Sequence, residues 1–551
     1  MLIVFIYSIL IVILVVPFSL IIIKNDNTDF YNYSKSLIFG IIIISSIALI
    51  INFFVALNLY VTSMFILASV ILIFKFPKKF INLKFLKFVI IQGFIIFILI
   101  LESNVYRPDA GLYHLPFIGI INTEKLIIGL YNLHSRYAHI SAIQYFSAAS
   151  NNIIFKNNGI VFIQALIAAG VISNFSGILL KNIKQNNYNY HHYFISFVLI
   201  FIFYKMNRYS EYGNDAPAHF LYFFLISEIL ICVENKKKYF LDNLLISLFI
   251  IQNKIMLLPV VIFNLIDFKL ASTLNYIKNF KFLILFIILI SWLIKNLLIS
   301  GCLIYPIKIT CPDQLLWGNT NLTSEISISG EAWAKGWSDL TDNERKNIGL
   351  EKFIKGFNWI NAWKLKHLKL INQIMFPYLL IITIILIFYF YKSEKNLKKI
   401  NKNYFYILLL SIFPIIIWFL KAPLFRYGYS TLITSLSLLF SLFLCSRVVS
   451  VKKIKYTSTF IFLIGLLVIF SKNILRISQN DNDYYNYPWP KFYSMTPGNN
   501  PESYYFKKIG STVLSFPLEN YCMYSKTICS HYEINKNLKI LNKNYLIIYL
   551  E

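Results

Sequence analysis

The chain has 551 residues, 57% hydrophobic and 14% charged, and its 52 Lys and Arg against 25 Asp and Glu leave a net charge of +27. Soluble domains run at about 45–50% apolar and about 25% charged residues, so a soluble globular enzyme and a disordered chain are both excluded. The positive charge sits in short loops between apolar segments, which is the pattern of positive-inside membrane topology and not of nucleic-acid binding.

In chain order, Met1–Ile23 is apolar but lacks a basic leader and a small-residue cleavage site, so it reads as a retained helix and not as a signal peptide. Apolar segments follow at 36–56, 58–74, 88–101, 159–180, 193–205, 218–233, 240–251, 256–266, 280–299, 373–391, 404–420, 430–445 and 457–471. The fold expected is an all-α polytopic membrane protein of about 13–14 membrane segments. Loops rich in Lys and Arg (Lys75–Lys87, Lys181–Lys184, Lys236–Lys238, Lys269–Lys281, Lys392–Lys402 and Arg447–Lys455) mark the cytoplasmic side.

That assignment places 102–159, 205–217, 300–373, 421–430 and the tail from 471 outside, and 18 of the 25 acidic residues fall in these segments. The expected organisation is a membrane domain over 1–471, with outer loops 102–159 and 300–373, and an extracytoplasmic tail over 472–551. Leu241–Asp267 is too long for one helix and must cross twice to keep both neighbouring Lys-rich loops inside. It divides at Gln252–Asn253–Lys254, and non-helical backbone at that depth is tolerated only in protein or beside a wet cavity.

The loop 102–159 concentrates polar residues beside a membrane boundary: Glu102, Asp109, His114, Glu124, His134, Arg136 and His139. His134 and His139 are five apart, off the same-face spacing of a helical metal pair, and no metal ligand is assigned. Asp215 ends a short outer loop, and Lys254 lies between apolar segments, where a cation is expensive and usually functional. The loop 300–373 carries five Trp residues, and Trp359–Leu370 reads as an amphipathic helix lying on the membrane. Lys421–Arg426 sets an Arg at the head of a helix. In the tail, 538–550 has strand character.

Cys302, Cys311, Cys522 and Cys529 fall in segments assigned to the outside, where disulfides are permitted. Cys522 and Cys529 would close a small loop. Cys302 and Cys311 would pair likewise or cross-pair with the tail. None has C-x-x-C spacing, and Walker A, H-E-x-x-H, G-x-S-x-G and G-x-G-x-x-G motifs are absent.

Asp109-x-x-x-Tyr113-His114, Gly129-Leu-x-Asn-Leu-His134-x-Arg136, Lys421-Ala-Pro-x-x-Arg426 and the tail Cys pair resemble a family of uncharacterised bacterial polytopic membrane proteins. That family is similar to the GT-C glycosyltransferases, which use polyprenyl-phosphate sugars. The likeness covers about Glu102 to Cys529. It implies a catalytic carboxylate in the first large outer loop, matched here by Asp109 or Glu102. The chain departs from the GT-C pattern by placing four helices before that loop and by lacking an Asp-Glu pair.

The chemistry of such a transfer suits these residues. A sugar leaving a polyprenyl phosphate needs no strong acid, one carboxylate to take the acceptor proton, and cations to hold the charge growing on phosphate. Lys254, Arg136 and Arg426 are the candidate cations, and His114, Glu124, His134 and Asp215 the other candidate substrate-binding residues. The expected partners are a polyprenyl-phosphate-linked sugar and membrane lipids, without nucleic acid, in a bacterial cytoplasmic membrane. No cofactor is demanded, and a divalent cation is the one left open. The alternatives are a transporter or flippase of lipid-linked saccharide, or a non-catalytic scaffold for envelope polysaccharide assembly.

The charge asymmetry makes a direct prediction. A cysteine at Ser338 is labelled by an impermeant thiol reagent from outside, and one at Ser393 is protected. The reverse pattern contradicts the topology.

Overall fold

The computed structural model describes residues 2–23, 29–100, 109–156, 158–207, 213–236, 239–391, 400–447, 449–478, 485–486, 489–490, 504–518, 521–525, 527–532 and 537–551. The architecture is mostly helical, with small sheets confined to the C-terminal end. Nine helices among the described residues are long and apolar enough to cross a membrane: 2–21, 30–51, 159–185, 215–235, 280–300, 360–390, 402–421, 425–445 and 451–475. This is the build of a multi-pass membrane protein.

The count is lower than the 13–14 segments read from apolar content. Four of those segments form shorter helices, Leu59–Lys75, Leu83–Leu99, Tyr190–Lys205 and Phe240–Asn253. Ile255–Ile266 is a 3₁₀ stretch that bends by 90° into Leu270–Ile277. Hydropathy measures apolar content, whereas a span also needs length. The 16 residues of Tyr190–Lys205 reach about 24 Å at about 1.5 Å per residue, short of a hydrocarbon core of about 30 Å. Its side chains from Tyr190 to Phe203 are buried on every side by other helices. Apolarity there serves the protein interior. By contrast, Phe286, Ile412 and Leu467 are exposed on apolar spans.

A second correction concerns Trp359–Leu370. It is not a separate helix lying on a membrane but the start of a continuous helical run to Phe390. No Gly or Pro interrupts it before Pro377. Its aromatic face finds protein partners: Trp359 and Trp363 pack on Phe419, and the Trp363 indole N–H donates to the Pro423 carbonyl at 2.7 Å.

Helices Phe30–Ile51 and Asn158–Gln185 pack together at the centre. Ala165, Ala168, Ala169 and Gly170 give the second helix a small-residue stripe that lets membrane helices approach closely. Several polar side chains inside the bundle meet one another in pairs. Gln92 donates to Ser173 at 2.5 Å, Lys281 pairs with Asp242 at 2.5 Å, and Lys35 pairs with Glu228.

The C-terminal residues are a docked appendage. Tyr504–Ile509 and Thr512–Pro517 pair antiparallel, and Ile528–Cys529 adds in parallel to the second strand. Leu538–Asn542 and Leu546–Leu550 form a second hairpin. Disulfides join Cys522 to Cys529 and Cys302 to Cys311. The last strand exchanges hydrogen bonds with Ile128, whose N–H donates to Leu546 O while its carbonyl accepts from Ile548 N–H, both at 2.9 Å. Gly129 follows at φ +68°, against the Ile548 carbonyl. A side chain there would meet both the left-handed backbone and the docked strand.

Candidate functional site

A cavity of about 1300 Å³ opens where several segments meet. They include Asp109 with the π-helical turn 110–114, the turn 135–140, the head of the 215–235 helix, the break at Lys254, the loop 305–308, the stretch 326–337 and the corner 421–427. Each polar group there is placed by local structure.

Phe240–Asn253 ends and the 3₁₀ stretch begins at Lys254, whose backbone is extended. The turn brings Asn253 Oδ1 to the start of helix Ala142–Ser150, where it accepts from Ser141 Oγ at 2.7 Å and from the Ile143 N–H at 2.9 Å. One turn on, Gln144 Nε2 bonds His114 Nδ1 at 2.9 Å. The break therefore ties the 109–114 turn to Lys254 through three hydrogen-bonded side chains.

Lys254 forms an ion pair with Asp215, and its ammonium lies 3.9 Å from the Tyr427 ring centroid. Asp215 opens its helix, where a carboxylate is favoured by the positive end of the dipole. Arg426 reaches Asp109 across 317 positions, Nη1 to Oδ2 at 3.4 Å. Its Nη2 donates to Tyr427 Oη at 3.1 Å, and the guanidinium stands over Trp333 at 5.2 Å.

The corner that holds Arg426 is rigid. Trp418 Nε1 donates to Leu424 O at 2.8 Å, and its indole lies flush on Gly428, leaving no room for a side chain. Asp109 and Arg426 are each about two-fifths exposed (38% and 40%), so their pair is worth only about 0–1 kcal/mol. An anionic ligand competes for the guanidinium at little cost.

The C-terminal appendage backs this site. Met523 N–H donates to Gly111 O at 2.9 Å, and Tyr137 Oη donates to Cys529 O at 2.5 Å. The Arg136 N–H donates to His134 Nδ1, so the His134 proton sits on Nε2 and is given to His531 Nδ1; both contacts are 3.0 Å. Tyr532 stacks on His134 at 4.5 Å and lines the cavity.

Of the expected site residues, Asp109, His114, Arg136, Asp215, Lys254 and Arg426 share the cavity lining. His134 lies behind it as the anchor of the appendage. Glu124 ends the Leu115–Thr123 helix, exposed and away from the cavity. Glu102 lies outside the described residues. Both disulfides flank the site without entering it.

Sequence reasoning missed Gln144, Tyr305, Trp333, Tyr427 and Tyr532 in the lining. Tyr427 adjoins Arg426 and Trp333 falls in the Trp-rich loop, so a signal existed. Gln144 and Tyr305 carried none. Four buried polar atoms of lining residues have no hydrogen-bond partner among the described residues: Tyr305 Oη, Trp292 Nε1, Asn214 Oδ1 and Arg426 Nε. The lining also takes in apolar side chains, Leu258, Pro259, Leu370, Ile374 and Ile417 among them. The last three belong to the candidate spans 360–390 and 402–421.

The chain belongs to a family described as a domain of unknown function (DUF8201), whose model matches residues 1–433. No curated protein and no solved structure matches it. The matched range takes in every carboxylate and cation just named and stops before the appendage.

Burial pushes His114 down to about 4, against the opposing pull of Asp109 and Asp215. His134 and His531 are lowered by burial as well. The ordinary imidazole value is about 6.5, so between that pH and about 4 the unfolded chain binds more protons than the folded one. Stability from these neutral rings is complete above about 6.5 and is lost as pH falls. The melting temperature is expected to drop between pH 7 and pH 5, and His114→Gln to flatten that slope. An unchanged slope contradicts the assignment.

Proposed function

We propose that this chain is an integral-membrane glycosyltransferase of GT-C type. It moves a sugar from a polyprenyl-phosphate donor to an envelope acceptor on the extracytoplasmic face of a bacterial cytoplasmic membrane. The observation that carries the reading is the make-up of one cavity. Three carboxylates, each beside a cation, share its lining with apolar residues supplied partly by candidate spans. An amphiphile with a phosphate head and a long apolar chain satisfies both halves. The unpartnered phenol, indole and amide atoms suit the hydroxyls of a sugar, since buried polar groups need partners.

In the proposed reaction, the donor phosphate takes up the guanidinium of Arg426 and the ammonium of Lys254. Asp109, released from Arg426, accepts the proton of the acceptor hydroxyl. The acceptor oxygen bonds the anomeric carbon as the bond to the phosphate oxygen breaks, and the electron pair leaves with the phosphate. Arg426 and Lys254 hold the charge that develops there. No three His, Cys, Asp or Glu side chains cluster as a metal site among the described residues. Asp109 and Asp215 already face cations, so this donor set does not fit a divalent cation and no step runs through one.

A carrier of lipid-linked saccharide is the second reading. It is favoured by one feature, the broken helix at Lys254, since transporters build sites at such breaks. Substitution separates the two. Asp109→Asn is expected to lower transfer into envelope glycan by about 10²–10⁴-fold while leaving undecaprenyl phosphate binding within about twofold. Arg426→Lys is expected to weaken that binding about tenfold, because an ammonium cannot present the bidentate fork. Full glycan output from Asp109→Asn contradicts the catalytic assignment and favours the carrier.

A further inference from the structure

The charges of the cavity do not cancel. Its three lining carboxylates are already engaged: Asp109 by Arg426, Asp215 by Lys254, and Glu331 by Lys335 and Lys421. Arg136 also lines the cavity and has no carboxylate partner among the described residues. Its placement is built. The residue sits on the turn Ser135–Ala138, its N–H is fixed on His134, and its guanidinium stands 5.6 Å from the Tyr113 ring centroid.

The surroundings of Arg136 differ from those of Arg426. Tyr305, on the loop closed by Cys302 and Cys311, is 4% exposed and lines the cavity, with its phenol oxygen unpartnered. His139 lies edge-on to Tyr305 at 5.1 Å, and Lys308 enters the lining from the same disulfide loop. A free guanidinium, a free phenol and aromatic faces together form a setting for a saccharide that carries an acid. The rings cover the C–H faces of the sugar, the phenol meets a hydroxyl, and the guanidinium takes a carboxylate or phosphate in bidentate fashion.

We propose that Arg136, Tyr305 and His139 form a second anion-binding subsite of the cavity, alongside Arg426 and Lys254, and that it takes an acidic saccharide. Given the transfer reading, that saccharide is the acceptor, and the name acceptor rests on that reading. The binding claim does not, because it follows from the unpaired groups alone. Arg136 is thereby removed from the lipid phosphate, the role its charge first suggested.

The test uses the full chain in lipid nanodiscs with undecaprenyl phosphate, trigalacturonic acid, mannose 6-phosphate and maltotriose as probes, read by calorimetry. At least one acidic probe is expected to bind ten times more tightly than maltotriose, and to bind equally well when undecaprenyl phosphate is saturating. Which acidic probe binds tells carboxylate from phosphate. Arg136→Gln is expected to weaken the acidic probe tenfold or more and to leave undecaprenyl phosphate within twofold. Arg136→Lys and Tyr305→Phe, milder changes, are expected to weaken it several-fold. The proposal is overturned if acidic probes and maltotriose bind alike, if no saccharide binds, or if undecaprenyl phosphate displaces the acidic probe. Failure of undecaprenyl phosphate to bind the wild-type chain sinks the transfer reading instead and leaves the saccharide result standing on its own.

Discussion

An ammonium among apolar helices must find an anion or lose its charge, and the arrangement of this protein turns on how Lys254 meets that requirement. Desolvating an unpaired ion costs several kcal/mol. Lys254 avoids this by pairing with Asp215 and lying on the Tyr427 ring. The price is a broken helix, since Lys254 reaches that position only where the helical backbone stops. The neighbouring Asn253 then bonds Ser141 and Ile143, which places the helix that carries Gln144, which in turn holds His114. Tyr427 ties the same lysine to Arg426, and Arg426 to Asp109. Four segments distant in sequence thus converge around one half-buried charge.

The C-terminal appendage adds a second layer of support. It touches the 109–140 region through main-chain atoms of Gly111, Ile128 and Leu133 and through the side chains of Asn122, Asn132, His134 and Tyr137. Together these contacts constrain the path of that region. The region that carries Arg136 and Asp109 is therefore held from behind by the appendage, which among its described residues sends Tyr532 alone into the lining. That support suits a site whose polar groups must stay fixed while a long apolar ligand moves along its apolar side chains.

Much of this was legible in the sequence, for physical reasons that also explain the gaps. The break at Gln252–Asn253–Lys254 was visible because two apolar half-segments flank three polar residues, a pattern no single span would carry. Asp109 and Arg426 stood out as opposite charges beside turn-forming residues at the ends of apolar runs, which put them in one expected cavity, and their contact at 3.4 Å is what the fold adds. Among the described residues the long apolar helices are fewer than the apolar segments, because a short helix buried in protein, such as Tyr190–Lys205, has the same composition as a long one with an exposed apolar face. Trp359–Leu370 was misread because amphipathic periodicity does not say whether the apolar face meets lipid or Phe419. Gln144 and Tyr305 were invisible, since nothing local distinguishes them from other polar residues. Only the fold gives the one a histidine partner and leaves the other with none.

The account stands on one claim, that the charged end of the cavity receives a lipid phosphate. Cryo-electron microscopy of the full chain in nanodiscs with undecaprenyl phosphate tests it most directly. The predicted map shows the phosphate within hydrogen-bonding distance of Arg426 and Lys254, Asp109 parted from Arg426, and the isoprenoid chain along Leu258, Leu370 and Ile374. A phosphate bound elsewhere, with the Asp109–Arg426 and Asp215–Lys254 pairs both intact, would contradict it.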